Sequence, residues 1–211
     1  MQPGLLVEGS DGPYLSTLVK RQLEQLVLEY SSQTVLVLDC VVPDHVRTNA
    51  SPTSVIAAAQ ELARDCGVVF LHGDEDARAE RLKLVDELNE KRLIVGSAGV
   101  AVPLVPVLMT ESWMLADRKA LESVVGKELL TDYPYTRPAA VEGRVAMRRS
   151  KEKLTPKQVW TNLMGDDANE ILHDRSELLA QRTDLRVLAQ LPSYREWCDG
   201  VERALRTLGF L

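Results

Sequence analysis

Apolar and polar positions along the first half of the chain follow two different periods. Leu5 to Val7 is a short apolar run. From 14 to 29, the residues Leu15, Leu18, Val19, Leu23, Leu26 and Val27 recur every three or four positions, which predicts an amphipathic helix. TVLVLD at 34–39 shows no polar alternation, as expected of a strand buried on both faces. A helix is expected over 51–67, with Ser51 as N-cap, Pro52 in its first turn and Gly67 as its stop. VVFLH at 68–72 predicts a third strand, and Leu82, Val85 and Leu88 give one apolar face to a charged helix over 77–91. VAVPLVPVL at 100–108 predicts a fourth strand, at an edge or with a bulge because of Pro103 and Pro106. Strand and helix in alternation imply right-handed crossovers. The expected class is therefore α/β, with a mainly parallel four-stranded sheet flanked by helices.

Beyond residue 110 the strand period disappears. A helix is expected over 111–126, ending at Gly126, and YPYTRPAA at 133–140 is a proline-rich break. Helical stripes follow at 155–164, 167–180 and 192–208, the last formed by Tyr194, Trp197, Val201, Leu205 and Leu208. This divides the chain into an α/β domain at 1–126 and a helical C-terminal extension at 127–211 packed on it.

With 211 residues and 45% apolar positions, the chain can bury one sizeable core. No apolar run approaches the roughly 20 residues that span a bilayer. The opening MQPGLLVEGSD has no basic n-region and no cleavage site, so no membrane role and a cytoplasmic location are expected. Cys40, Cys66 and Cys198 are odd in number, far apart and match no zinc spacing. The net charge of −6 argues against a chain that grips nucleic acid unaided. One local exception is RVAMRRSKEK at 144–153, where Arg148, Arg149 and Lys151, with Arg144 and Lys153, form either a solvated loop or a phosphate contact.

The candidate chemistry lies at the ends of strands, where open parallel sheets place their functional groups. Glu8 ends the first apolar run and Asp74 and Asp76 follow the third. On an extended tip, Asp74 and Asp76 would point the same way with Glu75 turned aside. Crowded carboxylates stay ionised together only beside a cation, and oxygen-only ligands at an open site suit Mg²⁺ or Mn²⁺. Gly9 and Gly12 allow a tight turn and the approach of a phosphate to the first helix. Asp76 could equally cap the helix that follows, whereas a cap in VEGSDG would use Ser10 or Asp11 and leave Glu8 without that role. His72, two positions before Asp74, either orients it, contacts a phosphate or has a structural role. No Walker-type loop or Gly-x-Ser-x-Gly is present, which disfavours ATP hydrolysis and acyl transfer.

Strand–Glu8-Gly9, then helix, strand, helix and strand–Asp74-x-Asp76, resembles the Toprim domain of topoisomerases, bacterial primases, recombination-repair proteins and OLD-family nucleases. The match covers about 4–108. TESWMLADRKAL at 110–121 and PSYREWCDGVERAL at 192–205 resemble a group of small Toprim-like proteins found beside ATPases in bacterial defence islands. The resemblance implies Glu8 as general acid or base, Asp74 and Asp76 as Mg²⁺ ligands and Glu111 as a further carboxylate. Asp117 is a weaker candidate, and Trp113 is expected in the core. The implied activity is a metal-dependent nuclease, or the nuclease subunit of a defence system, acting on DNA or RNA beside an AAA or SMC-like ATPase partner. A non-catalytic interaction subunit and a dedicated RNA-processing nuclease are the alternatives.

Overall fold

The computed structural model describes residues 1–90, 99–147 and 152–211. Its class is α/β, with a parallel sheet at the centre. β1 (Pro3–Leu6), β2 (Val68–His72) and β3 (Val100–Leu104) pair in the order β1-β2-β3, with Leu5 opposite Phe70 and Phe70 opposite Val102. Every residue of β1 and β2 is buried, as runs without polar alternation require. Side chains alternate between two apolar layers. Leu5, Val68, Phe70, Val102 and Leu104 face one layer, and Leu6, Val69, Leu71 and Ala101 the other.

Among the described residues the main sheet has three strands rather than four. The segment 34–41 runs beside β1 without forming a regular ladder. It is joined by Leu38 N–H to Met1 C=O (2.9 Å), Leu5 N–H to Val41 C=O (2.9 Å) and Val41 N–H to Pro3 C=O (2.9 Å), with one parallel bridge between Gly4 and Val41. Nor is it buried on both faces. Val37 packs inward, whereas Leu36 and Leu38 are 72% and 42% exposed. An apolar run thus marks an edge here, covered on one side only.

The helices pack on both faces of the sheet. α2 (Pro52–Leu62) and α3 (Arg78–Glu90) cover one face; α1 (Gly12–Tyr30) lies on the other. Ser51 caps α2 as expected, accepting from Ser54 N–H. Pro103 is tolerated because, among the described residues, β3 pairs only with β2, so its missing N–H breaks no ladder. The remaining elements are α4 (Thr110–Ala116), α5 (Arg118–Val125), the short antiparallel pair β4 (Val145–Ala146) and β5 (Lys153–Leu154), α6 (Pro156–Met164), α7 (Ala168–Arg182), α8 (Leu185–Leu188) and α9 (Pro192–Thr207). They share one apolar cluster with α1 and the sheet. Trp113 lies at its centre, fully buried against Tyr194 and Trp197, and donates from Nε1 to Ser193 Oγ at 2.8 Å. No described helix is long and apolar enough to cross a membrane.

The single helix expected at 111–126 is broken in two at Asp117, whose backbone (φ −99°, ψ 88°) is not helical. Its carboxylate accepts from Lys119 N–H and Ala120 N–H at 3.1 Å each and from Asp184 N–H at 2.9 Å. Asp117 is therefore a buried cap that also ties α5 to the start of α8. Asp117→Ala should lower unfolding free energy by about 1–3 kcal/mol, since it removes a cap and orphans a further backbone donor. Urea denaturation measures this, and an unchanged midpoint would show that these bonds contribute nothing.

Candidate functional site

The chain leaves β1, passes out to the edge segment 34–41, then returns across the sheet to β2. The carboxyl ends of β1 and β2 are thus neighbours at the point where the winding reverses, the position at which open α/β sheets form their clefts. Glu8 and Asp74 each stand two residues past the end of one of these strands.

Three side chains join the tips. His72 is buried at the end of β2, where its Nδ1 accepts from the backbone N–H of Glu8 at 3.2 Å. An amide N–H can only donate, so the ring proton lies on Nε2 and points to Thr110 Oγ1 at 2.9 Å. The Thr110 hydroxyl is then free to donate to Asp11, whose carboxyl it stabilises. Burial, followed by the nearby Arg81 charge, pushes the His72 imidazole down to about 3, so it is neutral throughout the physiological range. His72 is the hinge pin of the site rather than a ligand.

Arg81, on the first turns of α3, is 2% exposed, and its Nη2 lies 3.8 Å from Glu8 Oε2. Its Nε and Nη1 have no hydrogen-bond partner, nor does Glu8 Oε2. The guanidinium lies so close over Gly73 that a Cβ there would meet Arg81 Cγ and Nε at 2.9 Å, which explains the glycine. Gly9 turns the chain after Glu8 with φ +78°, a left-handed conformation, and has open space where a side chain would stand.

Four carboxylates meet at this edge: Glu8, Asp11, Asp74 and Glu111. Asp11 precedes α1, but its side chain caps nothing. Burial, then Glu111, pushes its carboxyl up to about 6, against the Thr110 bond and Lys157, which lower it. Asp74 is pushed up to about 7 by burial first, then by Glu111, Asp11, Glu8 and Asp76 in that order. Glu111 is buried on the first turn of α4.

Asp76 stands differently from expectation. Residues Glu75–Ala77 form a 3₁₀ turn, not an extended tip, so alternate side chains do not converge, and Asp76 is exposed as the last-ranked influence on Asp74. Nor is Glu75 idle. Its Oε2 accepts from Leu108 N–H at 3.1 Å and its own N–H reaches Leu108 C=O at 3.4 Å. This holds the loop before α4 where Leu108 adopts φ 65° and Met109 N–H bonds Val107 C=O at 2.9 Å, a strained γ-turn.

Arg148, Arg149 and Lys151 lie outside the described residues. Arg144 and Lys153 flank them and are exposed. The basic residue that does act on the cluster is Lys157 on α6. Asp11, Thr110, Arg81 and Lys157 were not legible as site residues. Asp11 read as a cap, and Arg81 read as one of the charged positions of a helix whose apolar face was assigned to Leu82, Val85 and Leu88.

Among the described residues, two cations, Arg81 and Lys157, stand against four carboxylates, leaving an excess of negative charge there. Among the described residues no group of three or more His, Cys, Asp or Glu side chains is already gathered in a metal-holding arrangement. The donors nevertheless fit a hard dication in kind. They are all oxygen, one of them (Glu8 Oε2) has no hydrogen-bond partner, and Mg²⁺ is usually held by one or two carboxylates with water completing its shell.

The raised carboxyls have a measurable consequence. A folded-state value near 7, against an ordinary 3.8, means that folding takes up a proton between these limits, so this contribution to stability is lost as pH rises through the interval. In EDTA, melting temperature should fall from pH 5 to pH 8. Asp74→Asn should flatten that slope and stabilise the protein at pH 8 by about 1–2 kcal/mol, after discounting for solvent screening of a partly exposed group. Identical pH profiles for the two proteins would show that Asp74 is not crowded.

Comparison with known protein families, with curated proteins and with solved structures finds no match to this chain.

Proposed function

We propose that the carboxylate edge is the active site of a Mg²⁺- or Mn²⁺-dependent phosphodiesterase acting on nucleic acid, the reading the Toprim resemblance implies. The observation that supports it most is Asp74, crowded by the three other carboxylates of the cluster at the switch point of a parallel sheet. Asp74 and Glu111, with Asp11 beside them, would hold the ion, which when bound would neutralise the carboxylates and withdraw charge from a phosphate oxygen. Glu8, partly exposed toward the cluster, takes or returns the proton of the attacking water. Arg81 supplies the fixed positive charge behind it. Open space at Gly9 admits the phosphate, and Lys157, with the basic stretch at 144–153, steadies the strand.

A second reading rests on a separate observation. Leu28 and Tyr30 at the end of α1 are 88% and 51% exposed, close in sequence to Leu36 and Leu38 on the edge segment. Exposed apolar side chains of this size favour a partner surface, so the chain also reads as a subunit docking on an ATPase, catalytic or not.

Cleavage of single- and double-stranded DNA and RNA should require Mg²⁺ or Mn²⁺ and fall at least 100-fold in Asp74→Asn and Glu111→Gln, the scale expected when charge stabilisation is lost from a transition state. Glu8→Gln should lower turnover without weakening metal binding measured by calorimetry. Metal-dependent cleavage that survives unchanged in Asp74→Asn would refute this assignment. If no cleavage appears, and Leu36→Asp rather than Asp74→Asn abolishes the biological role, the docking subunit is the correct reading.

A further inference from the structure

A second cleft opens at the far end of α4, outside the carboxylate edge and sharing none of its residues. It encloses about 840 Å³ between the start of α5, the segment 133–138 and the end of α7. That volume is within the range of small-ligand sites, roughly 300–1,000 Å³. Four cations line it: Arg118, Lys119, Arg137 and Arg182. The two aspartates in its wall are already committed. Asp117 accepts three backbone N–H groups, and Asp184 accepts from the backbone and side chain of Arg186. Lys119 and Arg137 are exposed and make no ion pair among the described residues. In a chain of net charge −6, Lys119 and Arg137 thus stand as cations with no ion-pair partner among the described residues, beside Arg118, which pairs with Glu122, and Arg182, which donates to Ser123 C=O.

The cleft also has a flat aromatic side. Arg118 lies over the Tyr133 ring at 5.4 Å, and Tyr133 packs edge-on to Tyr135 at 5.5 Å. Arg118 is half-exposed and fixed from the side by Glu122 at 2.9 Å, so the outer face of its guanidinium plane is available. The Tyr133 hydroxyl donates to Leu115 C=O, which locks the ring. The Tyr135 hydroxyl, at the same wall, is a buried donor with no partner. Cations for phosphate beside a guanidinium–aromatic stack for a base is the combination that recognises a nucleotide unit.

We propose that this cleft binds a nucleotide, with its base on the Arg118–Tyr133 stack and its phosphates on Lys119, Arg137 and Arg182. The nucleotide is either free or part of a single strand, and the two share this chemistry. The assignment stands whether or not the carboxylate edge is catalytic.

The test is calorimetric titration of the full chain in EDTA with ADP, inorganic phosphate and a short single-stranded oligonucleotide. ADP should bind saturably, and Lys119→Ala and Arg137→Ala, both surface changes, should each weaken it by about tenfold. Arg118→Ala should weaken ADP but not phosphate. Asp74→Asn should leave ADP binding unchanged, which separates this site from the carboxylate edge. An oligonucleotide that displaces ADP supports the proposal and identifies a strand as the source; one that fails to displace bound ADP supports it with a free nucleotide. Absence of saturable binding by either ligand, phosphate binding as tightly as ADP, or unaltered binding in Lys119→Ala and Arg137→Ala would overturn it.

Discussion

The acidic edge depends on one buried cation. Arg81 is sealed from water with two of its nitrogens unpartnered, a condition that costs several kcal/mol unless opposite charge stands nearby. Glu8, at 3.8 Å, and Glu80, at 3.9 Å, provide that charge. The dependence runs both ways. Glu8 stands among other carboxylates, and the guanidinium behind it offsets their repulsion. Gly73 leaves the space in which Arg81 lies, and α3 is held in that position because Leu84, Val85 and Leu88, on the same buried face as Arg81, pack against the sheet. The apolar packing of one helix thus fixes the electrostatics of the loop before it.

The parallel α/β arrangement was legible because β1 and β2 are buried on both faces and so read as unbroken apolar runs. The edge segment 34–41 read the same way for a different reason. Its outward residues are leucines, so periodicity could not tell a covered face from a bare one. Glu8, Asp74 and Glu111 could be placed because strand ends and a helix start can be located from sequence. Arg81 and Thr110 could not, because their role comes from contacts across 38 to 73 positions of chain. The Asp74-x-Asp76 spacing misled because a 3₁₀ turn replaces the extended tip, and a two-residue spacing has opposite meanings in the two conformations. The break at Asp117 was hidden because its cap bonds lie within a pattern that reads as continuous helix.

α4 connects the two polar regions of the molecule. Its first turn contributes Thr110 and Glu111 to the acidic edge, and its last residue, Ala116, lies at the basic cleft. Seven residues of helix rise only about 10 Å, so regions of opposite charge stand close together on one rigid rod. That rod is anchored through Trp113 in the aromatic cluster and through Ser112 Oγ to Met109 C=O at 2.7 Å. Movement at one end would have to be accommodated by the core.

The neutral His72 sets a final property of the edge. The imidazole that links β1, β2 and α4 gains no proton until the medium is strongly acidic, whereas Asp11 and Asp74 exchange theirs close to neutrality. The negative charge carried by the rim therefore grows as pH rises through the region from about 6 to about 7 while the brace beneath it stays neutral. The surface potential behaves as a dial set in a fixed mount.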